Sequence, residues 1–273
     1  MFKGIRAKVR ENLGPRFTWR WWTVLFVCIA LIAGVLVLDM MHRLYHVRGV
    51  FQFAGHHWFD SDADRSLSEM VGYIQSMVSA GLLLYLAMSV KKGWTHIVLA
   101  QTMILIVLDD YLRIHEELRG TFMDILSLEP MWGLRAEDLG ELLAWAFLGI
   151  PILVVAALAW KHSGKRARRQ TKYLIAGLGV LVFFAVVIDM IAILAGGIGI
   201  EAGALGWQGR AYYVLTIMES GGELAGQSIV LVTALFFVFQ HIHRMAVRAK
   251  RKPELETSSA HALPQAQAQP NGL

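Results

Sequence analysis

Hydrophobic residues in this chain come in long unbroken runs, not in the alternation of a strand or the spaced stripe of a soluble helix. Six runs stand out, at residues 21–38, 67–90, 95–112, 139–160, 173–195 and 212–239. A run of about 18 or more apolar residues is long enough to cross a bilayer's hydrocarbon layer as a helix. In that layer backbone polar groups must pair within the protein, which leaves helices or a closed barrel. Barrel strands alternate, and these runs do not. The pattern therefore predicts an all-α polytopic membrane bundle of six transmembrane helices.

Composition sharpens this picture. The chain is 56% hydrophobic with a mean hydropathy of +0.48, and its 17% of charged residues is low for a soluble surface. The single cysteine, Cys28, sits inside the first run, which excludes an internal disulfide, a thiol pair and a cysteine zinc site. No cleavable signal peptide is expected, because the first run is long and starts only after about 20 residues. The expected organisation is a basic arm at 1–20, a transmembrane domain at 21–240, and a tail at 241–273 that is basic and then disordered, being rich in Ala, Gln, Pro and Ser.

Charge sets the expected orientation. The N-terminal arm, the Lys91-Lys92 turn, the 161–172 loop and the C-terminal arm share one side and hold 19 of the 26 Lys and Arg residues. Basic loops stay in the cytoplasm, so both termini are expected inside a bacterial plasma (inner) membrane. There the net charge of +5 meets anionic lipid headgroups, and no nucleic-acid partner is implied. The acids do the reverse, with 18 of 21 in the outer loops or outer parts of the spans. Orientation does not require this, since Asp and Glu contribute little to it.

Ionisable groups inside membrane helices are costly and suggest function. Asp39, His42 and His46 are spaced i, i+3 and i+7, one stripe if the first helix continues. Such a stripe suits a first-row metal, or it lies wetted at the interface. At the end of the third span Asp109, Arg113 and Glu116 fall within about 60° of arc, Asp110 joins Arg113 and Glu117, and His115 points away. An Asp109–Arg113 pair is the bland account. Acids at a helix carboxyl end nevertheless oppose the dipole and call for protons, a cation or other helices. In the sixth span Glu219, Glu223 and Gln227 form one polar stripe, with Gly221, Gly222 and Gly226 permitting close helix approach. Asp189 is the lone acid of the fifth.

Some acids have structural explanations. Ser66-Leu67-Ser68-Glu69 fits a capping box, and Glu137, Asp138 and Glu141 sit in the first turns of the fourth helix, where the dipole favours them. Asp60, Asp62 and Asp64 begin like a calcium loop, but Arg65 holds the glycine position and Val71 that of the bidentate glutamate. Asp62 and Asp64 stay secondary candidates.

Phe59-Asp60-Ser61-Asp62-Ala63-Asp64 before the second span, Leu108-Asp109-Asp110 with Ile114-His115-Glu116 at the end of the third, and Glu219 with Glu223 in the last resemble an uncharacterised family of bacterial multi-pass membrane proteins. The resemblance covers roughly residues 55–230. Asp110 departs from it, standing where the family motif carries glutamate. The family implies no activity.

Three functions remain open. One is a membrane-embedded metalloenzyme holding zinc, iron or manganese among Asp39, His42, His46, Asp109, Asp110, His115, Glu116, Glu219 and Glu223, and acting on a lipid. Its expected site gathers these acids and histidines from the first, third and sixth helices with too few basic partners. A second is a proton or divalent-cation transporter, channel or sensor, although the inner halves of the spans offer little polar track beyond His96 and Gln101. A third is a non-catalytic scaffold.

Overall fold

The computed structural model describes residues 19–61, 63–131, 134–197 and 207–262, and the side-chain surroundings of 21–61, 63–131, 134–195 and 211–249. These residues form α1 (Trp19–Arg48), α2 (Leu67–Ser89), α3 (Trp94–Leu112), α4 (Ile114–Leu126), α5 (Ala136–His162), α6 (Lys165–Val182), α7 (Asp189–Gly197) and α8 (Trp207–Ala262). A π-helical stretch, Phe183–Ile188, joins α6 to α7. Among the described residues there is no sheet, and six helices are long and apolar enough to cross a membrane: Trp21–Arg48, Leu67–Ser89, Trp94–Leu112, Ala136–His162, Lys165–Ala195 and Ala211–Ala249. The all-α fold with six candidate spans is thus the observed one.

Two helices run beyond their apolar runs. α1 continues through Asp39, His42 and His46 to Arg48, with His46 and Arg48 in the last turn, where basic groups complement the dipole. α8 continues to Ala262, into the stretch whose composition suggests disorder. The arm at 1–18, Asp62 and the last residues, 263–273, lie outside the described residues.

The core sits between α2, α3, α6 and α8, where Leu83, Leu86, Met103, Leu174, Val230 and Phe237 pack together. α1 lies against α8, while α5 lies at the periphery against α3 and the short amphipathic α4. The outward faces carry exposed Phe26, Met88, Phe147 and Leu153. In water such a girdle would be unstable; acyl chains cover it without loss.

The α6–α8 contact depends on two glycines. A Cβ on Gly226 would lie 2.5 Å from the Leu181 backbone nitrogen, and one on Gly222 would enter the Phe184 ring. Gly222 and Gly226 are one turn apart, the small-residue spacing that lets membrane helices approach closely. Gly226→Ala is therefore expected to lower detergent-solubilised stability by about 1–3 kcal/mol through overpacking. A Cβ on Gly34 meets nothing within 4 Å, so Gly34→Ala should be neutral or stabilising. Thermal unfolding followed by tryptophan fluorescence separates the two, and equal effects would refute the close contact.

Candidate functional site

The carboxyl-terminal part of α3 and the opposing parts of α2, α5, α7 and α8 enclose a cavity of about 360 Å³. Six carboxylates line it: Glu69, Asp110, Glu141, Asp189, Glu219 and Glu223. His115, Tyr73, Trp145, Tyr212 and Gln227 complete much of the wall. Among the described residues no lysine or arginine lines it.

Helical spacing explains how each element reaches this space. Glu219, Glu223 and Gln227 are four residues apart on α8, so all three project from one face. Glu69 and Tyr73 stand at the same spacing on α2, and the Tyr73 hydroxyl donates to Glu69 Oε2 at 3.0 Å. Between them Gly72 leaves room for Gln227, whose Oε1 would lie 2.5 Å from a Cβ there. That Oε1 is buried with no hydrogen-bond partner among the described residues. On the fifth span, the π-helical stretch directly before Asp189 inserts extra backbone and rotates the facing of α7, and such insertions recur at functional sites.

Asp109 and Asp110 part company at the end of α3. Asp110 lines the cavity; Asp109 is buried outside its wall. The chain then breaks at Arg113, which adopts the left-handed region with φ 57° and separates α3 from α4. A continuous helix would send His115 away from Asp109, as the spacing suggests. The break reverses that expectation. Asp109 Oδ1 accepts the His115 backbone N–H at 2.9 Å, and its Oδ2 lies 3.1 Å from His115 Nδ1. The imidazole stacks on Trp145 with ring centres 5.2 Å apart and faces Glu141, 3.9 Å from Nε2. Nor do Asp109 and Arg113 form the i,i+4 pair of the bland account. Arg113 Nε donates to Glu116 Oε1 at 2.7 Å, and its Nη1 lies 3.3 Å from Asp64. Arg113 holds Glu116 below the usual carboxylate range, against a smaller opposing effect of burial.

The α1 stripe does not reach the cavity. Asp39, 1% exposed, accepts from Arg43 Nε at 2.9 Å and from the Ser61 backbone N–H at 3.0 Å. His42 Nδ1 donates to the Ala54 carbonyl at 2.7 Å, and Nε2 lies 3.7 Å from Asp60. His46 packs edge-on against His42. Asp39 and His42 pin the 51–61 connection to α1 instead of joining the sixth span. The expected convergence of first, third and sixth helices is therefore replaced by one of second, third, fourth, fifth and sixth. Among the described residues no three His, Cys, Asp or Glu groups are placed to hold one metal ion.

Glu69 and Glu141 are the wall residues that sequence reasoning set aside. Both structural readings still have substance: Ser66 Oγ accepts the Glu69 N–H at 3.3 Å, and Asp138 closes a capping box with Arg135. Glu69 combines its cap position with a place on the wall. Glu141, one turn beyond Asp138, reaches both the cavity and Arg119, 3.4 Å away. Their spacing relative to Tyr73 and Trp145, four residues on in each case, is the signal that marks a shared face.

His115 generates a pH prediction. Burial lowers its basicity, while the hydrogen bond and charge of Asp109, helped by Glu141, outweigh burial and leave it raised above 6.5. A raised folded-state value stabilises fully below the ordinary one and loses that contribution as pH climbs through the raised one. Wild-type melting temperature should fall as pH rises above 6.5, with His115→Gln losing about 1–2 kcal/mol on the acid side and flattening the profile. An unchanged slope in the variant would refute the pairing.

No curated protein and no solved structure matches the chain. A family model described as a domain of unknown function (DUF8692) matches residues 22–239, from the first candidate span into the sixth. That agrees with the resemblance to an uncharacterised family, and the chain belongs to the DUF8692 family.

Proposed function

We propose that this is a multi-pass protein of a bacterial plasma membrane, with both termini in the cytoplasm, whose acidic cavity faces outward and binds cations. The observation that carries the reading is the convergence of carboxylates from five spans on one space, with no described lysine or arginine on its wall. Glu69, Asp110 and Glu223, sharing a site of low dielectric, cannot all remain charged without protons or a counter-cation. The side chains leave about 360 Å³ among them instead of closing on one point. That spacing supports shared protons or a hydrated divalent cation better than a tightly ligated zinc, iron or manganese centre. A lipid-processing metalloenzyme would need further closure to gather its ligands.

The charge asymmetry supports the orientation. A reporter fused after Lys252 should behave as cytoplasmic and one inserted at Gly203 as external; an external carboxyl terminus would overturn the topology.

Cation binding is tested on protein purified without a histidine tag. Manganese binding followed by electron paramagnetic resonance, together with proton uptake, should respond to Glu223→Gln, manganese affinity falling by about an order of magnitude or more. Folded wild type with neither manganese binding nor a proton uptake that Glu223→Gln alters would sink the proposal.

A further inference from the structure

The basic end of the bundle holds a second cavity of a different kind. About 640 Å³ lies between the start of α1, the first turns of α6 and the later part of α8. Trp21, Val232 and Phe236 give it an apolar wall, with Trp21 edge-on to Phe236 at 5.3 Å. Arg169 and Arg244 stand on its rim beside Gln170. Among the described residues no carboxylate lines it.

Gln170 points to a ligand. It is 3% exposed, and neither side-chain amide atom has a hydrogen-bond partner among the described residues. Buried amides are almost always paired, so an orphaned one on a cavity wall marks a place where something else completes the bond. The nearby Arg166 guanidinium likewise has two nitrogens buried without partners and feels the charges of Arg244 and Arg248. Excess positive charge and spare donors ask for an anion, and guanidinium pairs suit phosphate. The aromatic and aliphatic wall asks for hydrocarbon. Arg169, Arg244 and Trp21 each belong to a helix long and apolar enough to cross the membrane, and each lies near the end of it at the basic side.

We propose that this cavity is a specific site for one anionic phospholipid, its phosphate held by Arg169, Arg244 and the Gln170 amide N–H. One acyl chain lies along Trp21, Val232 and Phe236. Free phosphate satisfies the rim and leaves the wall empty; a neutral phospholipid fills the wall and leaves the positive charge uncompensated. The site is independent of the acidic cavity and of what that cavity binds.

The test uses the full chain in neutral detergent, with melting followed by tryptophan fluorescence. Added phosphatidylglycerol should raise the melting temperature by about 2–4 °C, with phosphatidylcholine and inorganic phosphate giving no comparable rise. The Arg169→Gln/Arg244→Gln pair should lose the rise. Lys165→Gln/Lys172→Gln removes the same charge from α6 outside the cavity wall and should keep it. Val232→Trp fills the groove without altering charge and should also lose it, which covers the case of a misfolded arginine pair. An equal rise with phosphatidylcholine or with phosphate alone overturns the proposal. So does an equal loss in the lysine pair, which would reduce the effect to general surface charge.

Discussion

Close approach of α6 and α8 across Gly222 and Gly226 shapes the acidic end of this molecule. With no side chains at those positions, Phe184 and Leu181 rest directly on the α8 backbone. Packing in a membrane gains nothing from excluding water, so contact area and closeness must supply the association. The fifth span widens into a π-helical stretch at this contact, and Asp189 comes directly after it on the cavity wall. On the other side of the contact α8 presents Glu219, Glu223 and Gln227. One tight helix pair thus carries three of the six carboxylates.

The second organising feature is the break at Arg113. A left-handed residue other than glycine is unfavourable, and its surroundings must hold it. Here Glu116 and Asp64 take the guanidinium, and Asp109 caps the start of α4 through His115. The break frees Asp110 to serve the cavity while its neighbour serves the joint. Two adjacent aspartates acquire different roles because a helix turns them 100° apart and then ends.

Charge is sorted along the bundle, and each end has its own kind of cavity. Carboxylates from five spans meet at one end, while arginines and a glutamine amide without a partner among the described residues border an apolar groove at the other. The proposals of protons or cations for the first and of an anion bearing hydrocarbon for the second share one physical basis, that charge in a low dielectric is costlier than in water.

The six helices, the sorting of acids from bases and the α8 stripe were all legible from residue order. Apolar run length, local charge counts and the 100° helical step are properties of neighbouring residues. The cap at Ser66 and the acids in the first turns of α5 were legible for the same reason. Which acids meet was not legible. Asp39, His42 and His46 have the better metal-like spacing, yet Asp39 and His42 hold down a loop, while Glu69 and Glu141 look like residues of a helix start and face the cavity. The reversal of His115 and the facing of Asp189 depend on a left-handed arginine and a widened helical turn, neither with a local sequence signature. Sequence therefore determined what each helix carries. Tertiary structure decided what those groups confront, because helix rotation and pairing are settled by contacts between residues far apart in the chain.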